Sequence, residues 1–327
     1  VKTDIHQHLW TEPLVEALLR RRELPFVRNE QGLTVLFLAG ERPYVIDLDS
    51  EAPARRAALV ERDGLDRALV CLSSPLGIEQ LPRERATELI DAYLEGALAL
   101  GSPFEVWGAL ALDGLDPDNV DSALDRGCVG ISLPAGALAS IDMLARVGPA
   151  LARIQSRGAP LFVHPGPGSR LPAHEASLID PLWWPALTRY VAEMQAAWLV
   201  FVTAARRLFP QLRVIFAMLA GLAPLHLERL RSRGGPAPLE SDPLVFYDTS
   251  SYGARAVGML EQVVGGDQLL YGSDRPVVDP YGHGALETLA WESFVGNAER
   301  VLFRRPDRAS EQKSARAARL AVLERAV

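Results

Sequence analysis

Asp4-Ile5-His6-Gln7-His8 sits in the first apolar run of the chain. In a β-strand alternate residues share a face, so His6 and His8 point the same way, with Cβ atoms roughly 6.6 Å apart. Two imidazoles at that spacing can converge on one cation through bonds of about 2.0–2.1 Å. A His-x-His pair is weak evidence alone, but the chain has only six histidines, and a third, His164, closes the compact apolar run Pro160-Leu161-Phe162-Val163. An acidic residue closes a further β-like run in Gln268-Leu269-Leu270-Tyr271-Gly272-Ser273-Asp274, just before Arg275-Pro276 stops it. Three histidines and an aspartate at three strand ends describe one cluster if parallel strands close into a barrel, because a barrel brings distant strand ends to one rim.

The length of 327 residues suits such a barrel in one large domain, and 48% hydrophobic with 23% charged residues suits a globular core. Eight apolar runs, at about 2–6, 67–73, 104–112, 128–133, 160–164, 212–218, 244–249 and 268–273, are predicted as strands. Helical spacing follows at 84–100, 116–126, 138–157, 222–233 and 254–264. This alternation predicts an α/β fold, a (β/α)8 TIM barrel over 1–305. Two connections exceed a simple crossover: 9–57 after the first strand and 165–211 after the fifth, the latter with a helix near 186–208. Both leave the C-terminal ends of strands, so they are read as rim insertions that wall the pocket. Leu33–Leu38 and Tyr44–Leu48 predict a hairpin in the first. The charged segment 306–327, with Leu320, Leu323 and Val327 at helical steps, predicts a C-terminal helical extension that packs on the barrel or on a second subunit.

Composition removes several functions. Net charge −7 argues against nucleic acid, and no apolar stretch reaches the roughly 20 residues that span a bilayer. Cys71 and Cys128 are too few for a disulfide framework, so the protein is read as cytoplasmic and reduced. Lys2 and Lys313 are the only lysines and neither lies near a candidate site, which disfavours Schiff-base and P-loop chemistry. Ser273 directly beside Asp274 cannot form a triad and is read as a turn residue.

The residues resemble the metal-dependent amidohydrolase superfamily, in the branch that includes aminocarboxymuconate-semialdehyde decarboxylase. The resemblance rests on Asp4-Ile5-His6-Gln7-His8, Val163-His164-Pro165 and Tyr271-Gly272-Ser273-Asp274-Arg275-Pro276. Phe209-Pro210-Gln211-Leu212-Arg213-Val214-Ile215, Phe246-Tyr247-Asp248-Thr249-Ser250 and Gly296-Asn297-Ala298-Glu299-Arg300-Val301-Leu302 agree with it. It implies that His6, His8, His164 and Asp274 are metal ligands, and it suggests a homodimer. One departure stands out: Phe216-Ala217-Met218-Leu219-Ala220-Gly221 places Met218 where the branch carries a histidine that serves the water or its proton. Either another group does that work, the reaction does without it, or the protein is a catalytically silent relative. The fourth strand ends Gly130-Ile131-Ser132-Leu133-Pro134, without the lysine that bridges two ions in binuclear members, so one divalent metal is expected. Imidazole ligation favours zinc, and a mixed N/O shell also admits manganese or iron.

The expected activity is therefore hydrolysis of a small cyclic or aromatic amide, lactone or related carbonyl compound by metal-activated water, with Asp274 both ligand and proton shuttle. Non-oxidative decarboxylation of an aromatic or unsaturated carboxylate is the alternative, and a silent small-molecule binder the second alternative. Trp10, Arg42, Met218 and Arg275 are candidate substrate contacts: an aromatic wall, two guanidinium groups and a thioether on the sixth strand's inner face. Arg275 could equally turn outward, since neighbours on a strand face opposite ways. His174 and His283, in loops on the catalytic side, are candidates for the missing base.

Overall fold

The computed structural model describes residues 1–171, 181–236, 242–278 and 291–302. Its first strand, β1 (Thr3–Gln7), is wholly buried and enters an insertion that begins with a helix, Glu12–Arg20, burying Leu14, Val15, Ala17 and Leu18. Three antiparallel strands follow: β2 (Phe26–Glu30), β3 (Leu33–Phe37) and β4 (Tyr44–Ile46). The hairpin read from sequence is thus the outer part of a three-stranded sheet. The helix Pro53–Arg62 returns the chain to the barrel.

Seven further strands run parallel to β1, namely β5 (Arg67–Val70), β6 (Phe104–Ala109), β7 (Gly130–Pro134), β8 (Leu161–His164), β9 (Val214–Phe216), β10 (Val245–Asp248) and β11 (Leu269–Leu270). They pair in chain order from β1 through β5 to β11. The residues after β11 complete the ring: the Ile5 amide donates to the Tyr271 carbonyl at 2.9 Å, the Asp274 amide to His6 at 2.8 Å, and the His8 amide to Arg275 at 2.7 Å. The fold is a TIM-barrel-like α/β fold, with the histidine-bearing strand and the aspartate-bearing segment side by side at the closure.

The outer helices follow the apolar spacing. Arg83–Leu98 buries Ala86, Leu89, Ile90, Tyr93, Leu94 and Ala97, steps of three and four that make one stripe against the sheet. Ile141–Ser156 is capped by Ser140, whose hydroxyl accepts from the Met143 amide at 3.2 Å, and buries Leu144, Val147, Leu151 and Ile154. Within the barrel, Trp107 stacks on Phe162 at 5.3 Å and donates its indole N–H to the Ile5 carbonyl at 3.0 Å. This aromatic floor fills the barrel beneath the histidines, as layered side chains do in closed barrels.

Two predicted elements differ. The sixth strand ends at Phe216, and a helix expected over 222–233 starts at Leu227. Between them Met218, Leu219, Ala220, Gly221 and Leu222 all have φ between 44° and 62°, a left-handed turn. Apolar runs do not reveal handedness, so periodicity read this turn partly as strand and partly as helix. The helix expected near 186–208 is interrupted only at Thr188, between Trp184–Leu187 and Arg189–Val200, and then continues through a π-helical turn at Phe201–Ala205 to Arg206–Leu208. The C-terminal extension, His174 and His283 lie outside the described residues.

Candidate metal centre

β1 carries an irregularity between Asp4 and Gln7 in its pairing with β5. Its effect appears in the side chains: Asp4 Oδ2 accepts from the Gln7 amide group at 2.7 Å, so residues three apart share a side, while His6 and His8 remain together on the other. Asp4 also accepts from the amides of His6 at 3.1 Å and Ser273 at 3.0 Å, pinning β1 to the closing segment.

His164, the last residue of β8, meets the other two histidines there. The Nε2 atoms of His6, His8 and His164 form a triangle with sides of 3.2, 3.1 and 3.2 Å. Each ring's Nδ1 faces an oxygen: Asp248 Oδ2 for His6 at 2.6 Å, the Cys71 carbonyl for His8 at 2.9 Å and the Pro165 carbonyl for His164 at 2.7 Å. In a neutral ring each of these acceptors holds the proton on Nδ1, which leaves the Nε2 lone pair pointing at the other two rings. Three converging lone pairs repel one another unless a cation lies among them. Tetrahedral donors on an ion with bonds of about 2.0–2.1 Å are themselves about 3.3–3.4 Å apart, so the triangle fits such an ion.

Asp274 adds a carboxylate. Its Oδ1 lies 3.1 Å from His8 Nε2 and 3.3 Å from His6 Nε2. The residue has φ 58°, a left-handed conformation that Asp tolerates better than most side chains, and the Ser251 hydroxyl reaches Oδ2 at 3.5 Å. Burial opposes ionisation of Asp274, but His6 and His8 outweigh it and hold the carboxyl below its ordinary range. Burial likewise opposes protonation of His6, yet Asp274 and Asp248 keep it well above the usual imidazole value; His8 meets the same opposition, and Cys71 followed by Asp274 pushes it up to about 9. His164 is held well below, by burial and by the other two rings. The buried carboxylates and the Cys71 sulfur together favour positive charge at this point, and the three rings cannot all supply it as protons.

Two contributors escaped the sequence reading. Asp248, the last residue of β10, is fully buried and orients His6; its signal was available, since an acid closes an apolar run there as at Asp274. Cys71, one residue past β5, places its sulfur 3.5 Å from His8 Nδ1, and the sulfur with a ring nitrogen of each of His6, His8 and His164 forms a group within 4.8 Å. Burial opposes ionisation of this thiol, and His8 and His6 more than offset it. Gly272 belongs to the site by what it lacks: a Cβ there would stand 2.5 Å from Asp248 Oδ1 and 2.9 Å from His6 Cβ.

The remaining candidates are distributed as follows. Trp10 lines a narrow cleft with His8, Cys71, Leu72 and Tyr93, and its buried indole N–H has no hydrogen-bond partner among the described residues. Met218 is buried but lies beyond the end of β9, as the first residue of the left-handed turn, rather than on a continuing strand face. Arg42 is exposed on the turn between β3 and β4. Arg275 takes the outward orientation: its guanidinium pairs with Asp63, and its carbonyl accepts from the His8 amide.

Fold and donor cluster define a barrel with a candidate metal site at the C-terminal rim. A family model described as amidohydrolase matches residues 3–304, and the chain belongs to that family. No functionally curated protein matches the sequence. Among solved structures, IDCase from Metarhizium anisopliae aligns with TM-score 0.73 and 16% identity over 92% of this chain and 97% of that one. The 5-carboxyvanillate decarboxylase from Sphingomonas paucimobilis aligns with TM-score 0.66 and 18% identity, covering 92% and 98%. Another 5-carboxyvanillate decarboxylase, from Novosphingobium aromaticivorans in complex with manganese and 4-hydroxy-3-methoxy-5-nitrobenzoic acid, aligns with TM-score 0.65 and 19% identity, covering 92% and 96%. No helix among the described residues is long and apolar enough to cross a membrane.

Proposed function

We propose that this protein is a metal-dependent, non-oxidative decarboxylase of a small aromatic or unsaturated carboxylate, with His6, His8, His164 and Asp274 holding one divalent ion. The observation that carries the reading is the convergence of three Nε2 atoms, 3.1–3.2 Å apart, with Asp274 Oδ1 beside those of His6 and His8. The reaction class is supported by the decarboxylases of similar fold, one of them in complex with manganese and a substituted benzoic acid. Zinc and manganese are the ions to try first.

The ion would supply Lewis acidity towards a substrate oxygen. The chain's own residues do the rest. Asp248, the Cys71 carbonyl and the Pro165 carbonyl fix the three rings in one tautomer, so the donors need no rearrangement. Asp274 rests as a carboxylate; it takes a proton from substrate or water and delivers it to the carbon that loses CO2 as the carbon–carbon bond breaks. Trp10 and Met218 provide apolar surface for a planar ring, and Arg42 approaches the substrate carboxylate from the insertion. Arg275, paired with Asp63, steadies the strand end instead of gripping substrate. Hydrolysis is the second reading, favoured by the description of the family model.

The test is a product-detecting mass-spectrometric screen of zinc- and manganese-loaded protein against hydroxybenzoates, unsaturated carboxylates, lactones and cyclic amides. Loss of CO2 from a carboxylate, abolished in metal-loaded Asp274→Asn, is the expected result. Ring opening by addition of water would assign the protein to hydrolysis. A metal-loaded protein that turns over none of these compounds would support a binding protein.

A further inference from the structure

Cys71 is held where a packing residue has no need to be. Its amide donates to the Gln7 carbonyl at 2.8 Å and its carbonyl accepts from His8 Nδ1 at 2.9 Å, so the backbone on both sides of the thiol is tied to β1. The side chain is 2% exposed. Its sulfur joins a ring nitrogen from each of His6, His8 and His164 in a group spanning no more than 4.8 Å. In a tetrahedral shell an ion with nitrogen bonds of about 2.0–2.1 Å and a sulfur bond of about 2.3 Å holds those donors about 3.6 Å apart, so the sulfur moves inward by about 1 Å at most to bind. Buried cysteine ordinarily behaves as a small hydrophobe. Here it stands among converging nitrogen donors, on strands that position every one of them.

We propose that Cys71 is a further protein donor that enters the coordination shell when the site holds a thiophilic ion, and that it makes this centre discriminate for zinc or cobalt over manganese. The inference rests on the reading of His6, His8 and His164 as a metal centre and adds the residue that sets its metal preference. Coordination forms a sulfur–metal bond and releases the thiol proton to solvent. A thiolate is a soft donor; it strengthens binding of zinc, cobalt or cadmium and does little for manganese or magnesium, which take oxygen. A site of imidazole and carboxylate alone also favours zinc and cobalt over manganese, but by less.

Cobalt(II) tests this directly in the full-length protein, because a thiolate on cobalt adds an intense near-ultraviolet charge-transfer band to the visible d–d bands that any ligand set produces. The chain has two cysteines, both free and buried, so the band has two candidate sources. Wild type and Cys128→Ser should show it. Cys71→Ser, with Cys71→Ala as the alternative should the serine variant not fold, should lose it and keep the d–d bands. The preference for zinc over manganese, measured by competition, should fall about tenfold or more in the same variant. Wild-type d–d bands without the charge-transfer band, or loss of the band in Cys128→Ser instead, would overturn the role of Cys71 and leave the metal centre standing. If cobalt produces no d–d bands in wild type, the metal centre itself falls, and this inference with it.

Discussion

At the scale of single residues, Asp248 and Glu79 show how burial is put to use. Asp248 accepts from His6 Nδ1 at 2.6 Å and is itself fully buried. Asp248→Asn keeps an acceptor but removes the charge that secures the His6 tautomer, and metal affinity should fall about 10–100-fold, read by chelator competition. Unchanged affinity would reduce Asp248 to packing. Glu79 is 1% exposed and takes one hydrogen bond, from the Ser74 hydroxyl at 2.5 Å. Burial raises its carboxyl from 4.5 to about 7. The folded protein therefore holds a proton that the unfolded chain has lost between about pH 4.5 and 7, so stability falls as pH rises through that window and is level above it. The shift corresponds to something on the order of 3 kcal/mol. Glu79→Gln should flatten this part of the stability profile, measured as urea midpoints from pH 5 to 8. A slope identical to wild type would show that Glu79 does not carry it.

Among the elements, the left-handed turn after β9 is the least expected. Its residues Met218, Leu219, Ala220 and Leu222 are not glycine, and each such residue costs roughly 1–2 kcal/mol relative to a right-handed conformation. Tertiary contacts hold it: Leu219 and Ala220 are fully buried, and Gln195 from the helix Arg189–Val200 donates to the Gly221 carbonyl at 2.8 Å. Strain of this kind collects beside functional sites, and this turn leaves the same rim as the histidines. Gly221 has φ 59°, and a Cβ there would lie 3.1 Å from the Val191 carbonyl oxygen. Gly221→Val puts a branched side chain where both backbone and space resist it, and should cost about 2–3 kcal/mol in urea unfolding. A loss under about 0.5 kcal/mol would mean that the turn rearranges freely.

For the whole molecule, the barrel's closure and its site are one construction. Arg56, 2% exposed on the helix Pro53–Arg62, donates to the His8 carbonyl at 2.9 Å, to Gln7 Oε1 at 2.7 Å and to the Arg275 carbonyl at 3.4 Å, and pairs with Glu51 at 2.6 Å. It clamps the end of β1 to the segment carrying Asp274. Arg56→Met leaves the Glu51 carboxylate buried and unpaired, a loss of about 3–5 kcal/mol, and Arg56→Met/Glu51→Gln should recover part of it. Thermal unfolding of the two variants decides: equal destabilisation would deny the pairing its share. Because the donors come from β1, β8 and the segment after β11, an ion in the site also cross-links the ring. Chelation should therefore lower the unfolding temperature, with about 2.7 kcal/mol lost where the free metal had stood at 100 times its Kd. A melting curve indifferent to chelator and to added zinc or manganese would exclude an ion that stabilises the fold.

The alternation of apolar runs and helical stretches was enough to read a parallel barrel, and the identity of the residues closing those runs was enough to pick out His6, His8, His164 and Asp274. Both are local patterns, since strand period and strand-end chemistry are written in consecutive residues. The small sheet in the first insertion was half legible, through β3 and β4, while β2 was missed because Phe26-Val27-Arg28-Asn29-Glu30 alternates weakly. What only the tertiary structure decided depends on residues distant in sequence. Asp248 lies 242 positions from the ring it orients, and Cys71 lies 63 from His8. Arg275 turns to Asp63, 212 positions away, where sequence allowed either side of the strand. Met218 leaves its strand because packing from the helix Arg189–Val200 sustains a left-handed turn that its own residues disfavour. Local sequence sets which groups arrive at the rim, and barrel closure sets which of them meet, because only there do the ends of non-adjacent strands come within bonding distance.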